Sequence, residues 1–124
     1  MAPIRRGEHM SQDVKPPQGG FTGAAEQRTL HESGPAPVRV SFVRFEPGVT
    51  THWHSHGGGQ VLHVVEGAAR VQNWGEPVVE LHEGDTISAA PGQKHWHGAA
   101  QEKPMAHLAV TIGAVNWMEA PDRD

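Results

Sequence analysis

The chain has 124 residues, a formal net charge of -4 with histidine neutral, 15 glycines, 10 prolines and no cysteine. That length fits one domain, and the missing cysteines exclude disulfides, thiolate ligands and cysteine nucleophiles while remaining compatible with a reducing cytoplasm. Acidic and basic residues are interleaved, with no basic block longer than Arg5-Arg6 and no apolar run near the ~20 residues of a membrane span, so neither nucleic acid nor a membrane is an expected partner.

Residues 1–20 are polar and rich in Pro and Gly, without the apolar stretch of a secretory signal, and read as an N-terminal arm preceding a domain over 21–124. From Phe21 the chain becomes strand-like. Val38 to Phe45 is rich in β-branched and aromatic residues and stops at Glu46-Pro47-Gly48, a turn signal. Further strands are expected over Val49 to His54, Gln60 to Val65, Ala68 to Trp74, Val78 to Leu81, Asp85 to Ala89, Lys94 to Ala100 and Met105 to Ile112. Glu66-Gly67 and Gly75-Glu76-Pro77 are read as turns between them, and Val115 to Glu119 as one short helical turn. Turn signals every ~8–12 residues predict an all-β sandwich or barrel.

The 10 histidines are the outlying feature of the composition. His54 and His56 alternate on a strand, so both imidazoles point to one face, about 7 Å apart, and can reach one ion. Gly57-Gly58-Gly59 then lets the backbone bend so that Gln60 returns to the same point. Pro91-Gly92-Gln93-Lys94 turns the chain into His95-Trp96-His97, where the two histidines again share a face. Along Met105 to Ile112, one face is uniformly apolar and the other carries His107, which places His107 inside the barrel near the metal without being a ligand. His97 is expected in the pocket beside it. Ser41 and Val43 share parity and are expected to line that pocket. His52 and His63 are expected to face outward, while His9, His31 and His82 carry no signal. Trp53, Trp96 and Trp117 are read as packing residues, and Glu66, Glu80, Glu83 and Asp85 as solvated turn residues.

Two segments carry a family resemblance. Gly48, five residues, His54-Ser55-His56, three residues, Gln60, six residues and Gly67 resembles the first cupin motif; Gly84 and then Ala90-Pro91-Gly92, two residues and His95 resembles the second. The Pro of the second motif stands one place later than usual, with Ala90 in its slot. The resemblance implies a double-stranded β-helix, or jelly-roll cupin barrel, in which His54, His56, Gln60 and His95 bind one divalent metal. Phe45-Glu46-Pro47-Gly48, Trp53-His54-Ser55-His56, the run Pro91 to Ala100, His107-Leu108-Ala109 and Asn116-Trp117-Met118-Glu119 are similar to the small bacterial cupins with manganese-dependent hydroxynitrile lyase activity.

The resemblance therefore implies a metal-dependent lyase that cleaves or forms cyanohydrins, with manganese at the site and His107, supported by His97, as the acid/base group. Iron, zinc, nickel and cobalt also suit three imidazoles and one amide oxygen. A metal-dependent dioxygenase on a small organic substrate and a non-enzymatic ligand-binding cupin are the alternatives. The partner is then a small molecule, and a short chain with strand edges to cover suggests a homodimer.

Overall fold

The computed structural model of the chain describes residues 19–34 and 37–122. Apart from Gly19 and Gly20, the arm expected over 1–20 lies outside the described residues. Among the described residues there are nine strands and no helix: β1 (Ala25–Ser33), β2 (Val38–Phe45), β3 (His54–His56), β4 (Gln60–Asn73), β5 (Val79–His82), β6 (Thr86–Ala89), β7 (His95–Ala99), β8 (Met105–Ile112) and β9 (Val115–Trp117). Among the described residues, no helix is long and apolar enough to cross a membrane.

All the pairings are antiparallel. One curved layer runs β1-β2-β8 to the first half of β4, whose other edge takes β6. The second runs β5 to the last half of β4, then β7, β3 and β9. Strand β4 belongs to both layers and curls the sheet into a barrel. The fold is thus the all-β double-stranded β-helix that the sequence implied.

β4 also corrects the sequence reading, which divided it at Glu66-Gly67. The chain does not reverse there. The register shifts between Val64 and Glu66, and Gly67 takes a φ of 78°, so the strand kinks and passes from one layer to the other. A turn signal within a strand marks a bulge as readily as a hairpin. The expected strand from Val49 is reduced to isolated bridges at Thr50 and Thr51 before β3 begins at His54. Val115 to Trp117 is a strand instead of a helical turn, because its backbone finds β3 as a partner, with Ser55 opposite Asn116.

Alternation decides what faces inward. Ser41, Val43 and Phe45 of β2, Gln60, Leu62 and Val64 of β4, and Met105, His107, Ala109 and Thr111 of β8 are all buried. Val43, Phe45, Val64, Ala69, Ala99 and Met105 form an apolar cluster that closes one end of the barrel, with Phe21 and Val49 packed against it. The polar members of the same inward faces are left at the other end, where they form a cavity.

Candidate metal centre

That cavity holds about 200 Å³ and is lined by Gln27, Arg39, Ser41, Val43, Thr51, His54, His56, Gln60, His97, His107, Ala109, Thr111, Val115 and Trp117, with Gly19 and Phe21 at its edge. No carboxylate is among these residues. Strand pairing explains the convergence. His54 stands opposite His95 on one side and opposite Trp117 on the other, so three rings share one face. Gln60 stands opposite Thr111, and His107 lies between Val43 and Val64 in the register. Gly59, at φ 92°, delivers Gln60; a β-carbon there would lie 2.7 Å from the Ala89 carbonyl oxygen, so only glycine fits this bend.

His54, His95 and His97 each offer a ring nitrogen, all within 4.8 Å of one another. The His54 ring lies 4.8 Å from that of His56 and 4.6 Å from that of His95, centroid to centroid. The His54 Nδ1–H donates to the His52 carbonyl at 2.8 Å. A carbonyl only accepts, so this bond fixes the tautomer and leaves the Nε2 lone pair free for a metal. Gln60 Nε2 donates to the Thr111 hydroxyl at 3.1 Å, which fixes the amide and leaves Oε1 free.

Burying polar atoms without partners is costly, and here such atoms gather at one place. Both ring nitrogens of His56, Oε1 of Gln60, Nε2 of His95, Nε2 of His97 and Nδ1 of His107 are buried with no hydrogen-bond partner. A divalent metal fits this donor set, since imidazole nitrogens and a neutral amide oxygen are acceptable ligands and their lone pairs are otherwise unused. The 4.8 Å group of histidines brings in His97, which the sequence placed in the pocket but outside the ligand set, and it omits His56.

His107 and His97 form a pair of their own, Nε2 to Nδ1 at 3.0 Å, both buried. Phe45 lies below them, its ring 5.3 Å from that of His107 and 6.0 Å from that of His97. Burial pushes the His54 and His56 imidazoles down to about 4, His95 to about 3 and His107 to about 4, and it drives His97 well below the ordinary histidine range. Neighbouring histidines push His56, His95 and His97 further down. All five are therefore neutral near pH 7, the form that donates a lone pair.

These shifts carry a stability prediction. In the unfolded chain the same histidines accept protons near 6.5. Between that value and about 4 the unfolded state binds more protons, so stability falls as pH is lowered through this window. The expected slope is on the order of 1.4 kcal/mol per pH unit for each histidine held neutral. Chelator-treated protein should therefore show a level unfolding midpoint above about pH 6.5 and a steep decline below it. A midpoint that stays flat from neutral pH down to about pH 4.5 would contradict the shifts.

Ser41 and Val43 line the cavity. His63 faces outward, bonded to the Thr86 hydroxyl at 2.7 Å, whereas half-buried His52 supports the site through its carbonyl. Trp53 and Trp96 are packing residues, their rings 6.4 Å apart. Trp117 is not. It lines the cavity, 43% exposed, with its ring 4.6 Å from that of His54 and 6.2 Å from that of Phe21. Its assignment to a helical turn hid this, since on a strand it falls directly beside His54. Arg39 was also missed, although it shares the parity of Ser41 and Val43.

Comparison with known proteins agrees with this geometry. The family profile described as a cupin domain matches residues 41–111. The chain is 44% identical over 110 residues to an (R)-mandelonitrile lyase of Granulicella tundricola, covering 85% of this chain and 84% of that protein. A crystal structure of a cupin-like protein from Thermotoga maritima superposes with a TM-score of 0.80 at 34% identity, covering 88% of this chain and 90% of the other. An acetylacetone dioxygenase from Acinetobacter johnsonii shares the fold with a TM-score of 0.77 but only 13% identity, over 96% of this chain and 80% of its own.

Proposed function

The chain belongs to the cupin family, and we propose that within it the protein is a metal-dependent lyase that cleaves or forms cyanohydrins. The observation that carries this reading is the coincidence of two features in one small cavity. Buried atoms without partners gather on His56, Gln60 and His95 around the His54 ring, and a buried histidine pair stands beside them with two unpartnered nitrogens of its own. The resemblance to a named mandelonitrile lyase supplies the substrate class.

We assign the metal to His54, His56, Gln60 and His95, with manganese as the ion and iron, zinc, nickel and cobalt compatible with the same donors. An ion held there supplies Lewis-acid polarisation of the substrate hydroxyl. All four ligands are neutral, so none of the ion's charge is offset. His107 receives the hydroxyl proton. For this its Nε2–H must donate to His97 Nδ1, which leaves the lone pair on His107 Nδ1 and puts the His97 proton on Nε2. As the O–H proton leaves, the bond from carbon to cyanide breaks, cyanide departs with the electron pair, and a carbonyl remains. The same pair returns the proton so that hydrogen cyanide leaves neutral. Phe45 below the pair keeps water from that side, and the lack of any cavity carboxylate removes a competing base.

The deciding experiment is mandelonitrile cleavage by metal-analysed protein, with and without oxygen. Equal rates in air and under argon are expected. Cleavage that fails in both, with oxygen consumed on a diketone or similar substrate, would instead indicate a dioxygenase. We also propose a homodimer that covers outer-face Val61 and Val65, each 38% exposed on β4. Light scattering at micromolar concentration should then give twice the chain mass, and a mass of 13.4 kDa would refute it.

A further inference from the structure

We propose that Arg39 is an anion-binding residue of the metal cavity and that the physiological substrate carries a carboxylate, which the Arg39 guanidinium holds while the reacting carbon sits at the histidines. The inference deepens the lyase reading and rests on it for the chemistry, though not for the anion site itself.

Arg39 lies on the inward face of β2, two positions from Ser41 and opposite Thr111 of β8. Thr111 in turn stands opposite Gln60 and holds its amide. The side chain lines the same cavity as His54, His56 and Gln60, and His56 is near enough to feel its charge. Among the described residues, no hydrogen bond or ion pair engages the Arg39 guanidinium. Glu32 is its partner in the β1–β2 register, yet the two form no ion pair among the described residues, and Glu32 is exposed. Arg44, on the outward face of the same strand, behaves differently: it meets Glu66 at 2.7 Å. On the inward side, the described residues of the cavity offer the Arg39 guanidinium no such carboxylate.

The rest of the lining reinforces the point. Among the described residues it contains no Asp or Glu, and the candidate ligands are neutral, so none of them balances a fixed guanidinium. A half-buried arginine presents a planar fork of N–H donors that matches a carboxylate in a two-point contact. A purely neutral cyanohydrin would leave that fork unused. The chemistry thus points to an α-hydroxy nitrile, or its parent aldehyde or ketone, that also bears a carboxylate.

The test uses the metal-loaded protein and pairs of probes with one skeleton and different charge: lactate against lactamide, and mandelate against mandelamide. Calorimetry should show the carboxylate of each pair binding more tightly in the wild type. Arg39→Gln should weaken carboxylate binding by roughly 10- to 100-fold, as expected for a hydrogen bond to a charged group, and should leave amide binding and metal content in place. Arg39→Lys should restore part of the preference, since it returns the charge without the fork. If Arg39→Gln keeps the full carboxylate preference, the metal alone selects the anion and the proposal is wrong. If amide binding falls equally, Arg39 only supports the barrel, which also overturns it. The two readings separate cleanly. An Arg39-dependent preference without cyanohydrin cleavage sinks the lyase reading alone, whereas cleavage without that preference sinks this one alone.

Discussion

His54→Ala should strip the metal and the activity together. The residue is 1% exposed, its tautomer is fixed by the His52 carbonyl at 2.8 Å, and its ring contacts those of His56, His95, His97 and Trp117. Changing a group that merely supports a ligand typically costs ~10–100-fold in metal affinity. Losing a proposed ligand at the centre of the cluster should cost more, so occupancy in a dialysed preparation should fall to background and turnover with it. Removing a large buried ring also leaves a void, so some loss of stability is expected alongside. Elemental analysis and turnover on the same sample decide the matter. Full metal content with no turnover would make His54 a catalytic group and not a ligand.

His107→Ala should do the opposite: keep the metal and lose the rate. A positioned acid/base group contributes ~10²–10⁴-fold, and that is the expected fall in turnover for mandelonitrile. The residue is 1% exposed and its bond to His97 at 3.0 Å is the one hydrogen bond its ring makes. Truncation leaves His97 Nδ1 unpartnered, so His107→Gln, which can restore a donor to His97, is the companion variant. If both variants lose rate and keep metal, proton transfer at His107 is supported. Loss of metal from His107→Ala would mark it as a ligand or a structural support. Retention of metal and full rate would leave His97 as the base to test next.

The fold and much of the site were legible in the sequence because both are written in short-range patterns. Alternation along Val38 to Phe45 and Met105 to Ile112 sets which side chains turn inward, and the structure has these strands with the same bounds. The spacings His54-Ser55-His56 and His95-Trp96-His97 carry two pairs of imidazoles to one face for the same reason. Gly59 before Gln60 signals a bend that other residues cannot make.

What sequence parity could not give was which strands become neighbours. His107 meets His97 only because β4 lies between β7 and β8 and curls the two layers together. Trp117 reaches His54 only because a three-residue segment pairs with β3, a long-range partnership that outweighs the weak local preference of so short a stretch. The kink at Gly67 looks locally like a reversal, and the long-range pairing of β4 with β8 before it and β7 after it makes it a continuation. Arg39 had the right parity but gave no sign of lacking a counter-ion, since Glu32 is near in sequence and opposite in register. Sequence fixes the face on which a side chain sits, through backbone geometry repeated every second residue. Only the closed barrel determines what that face meets, because each meeting depends on hydrogen bonds between strands distant along the chain.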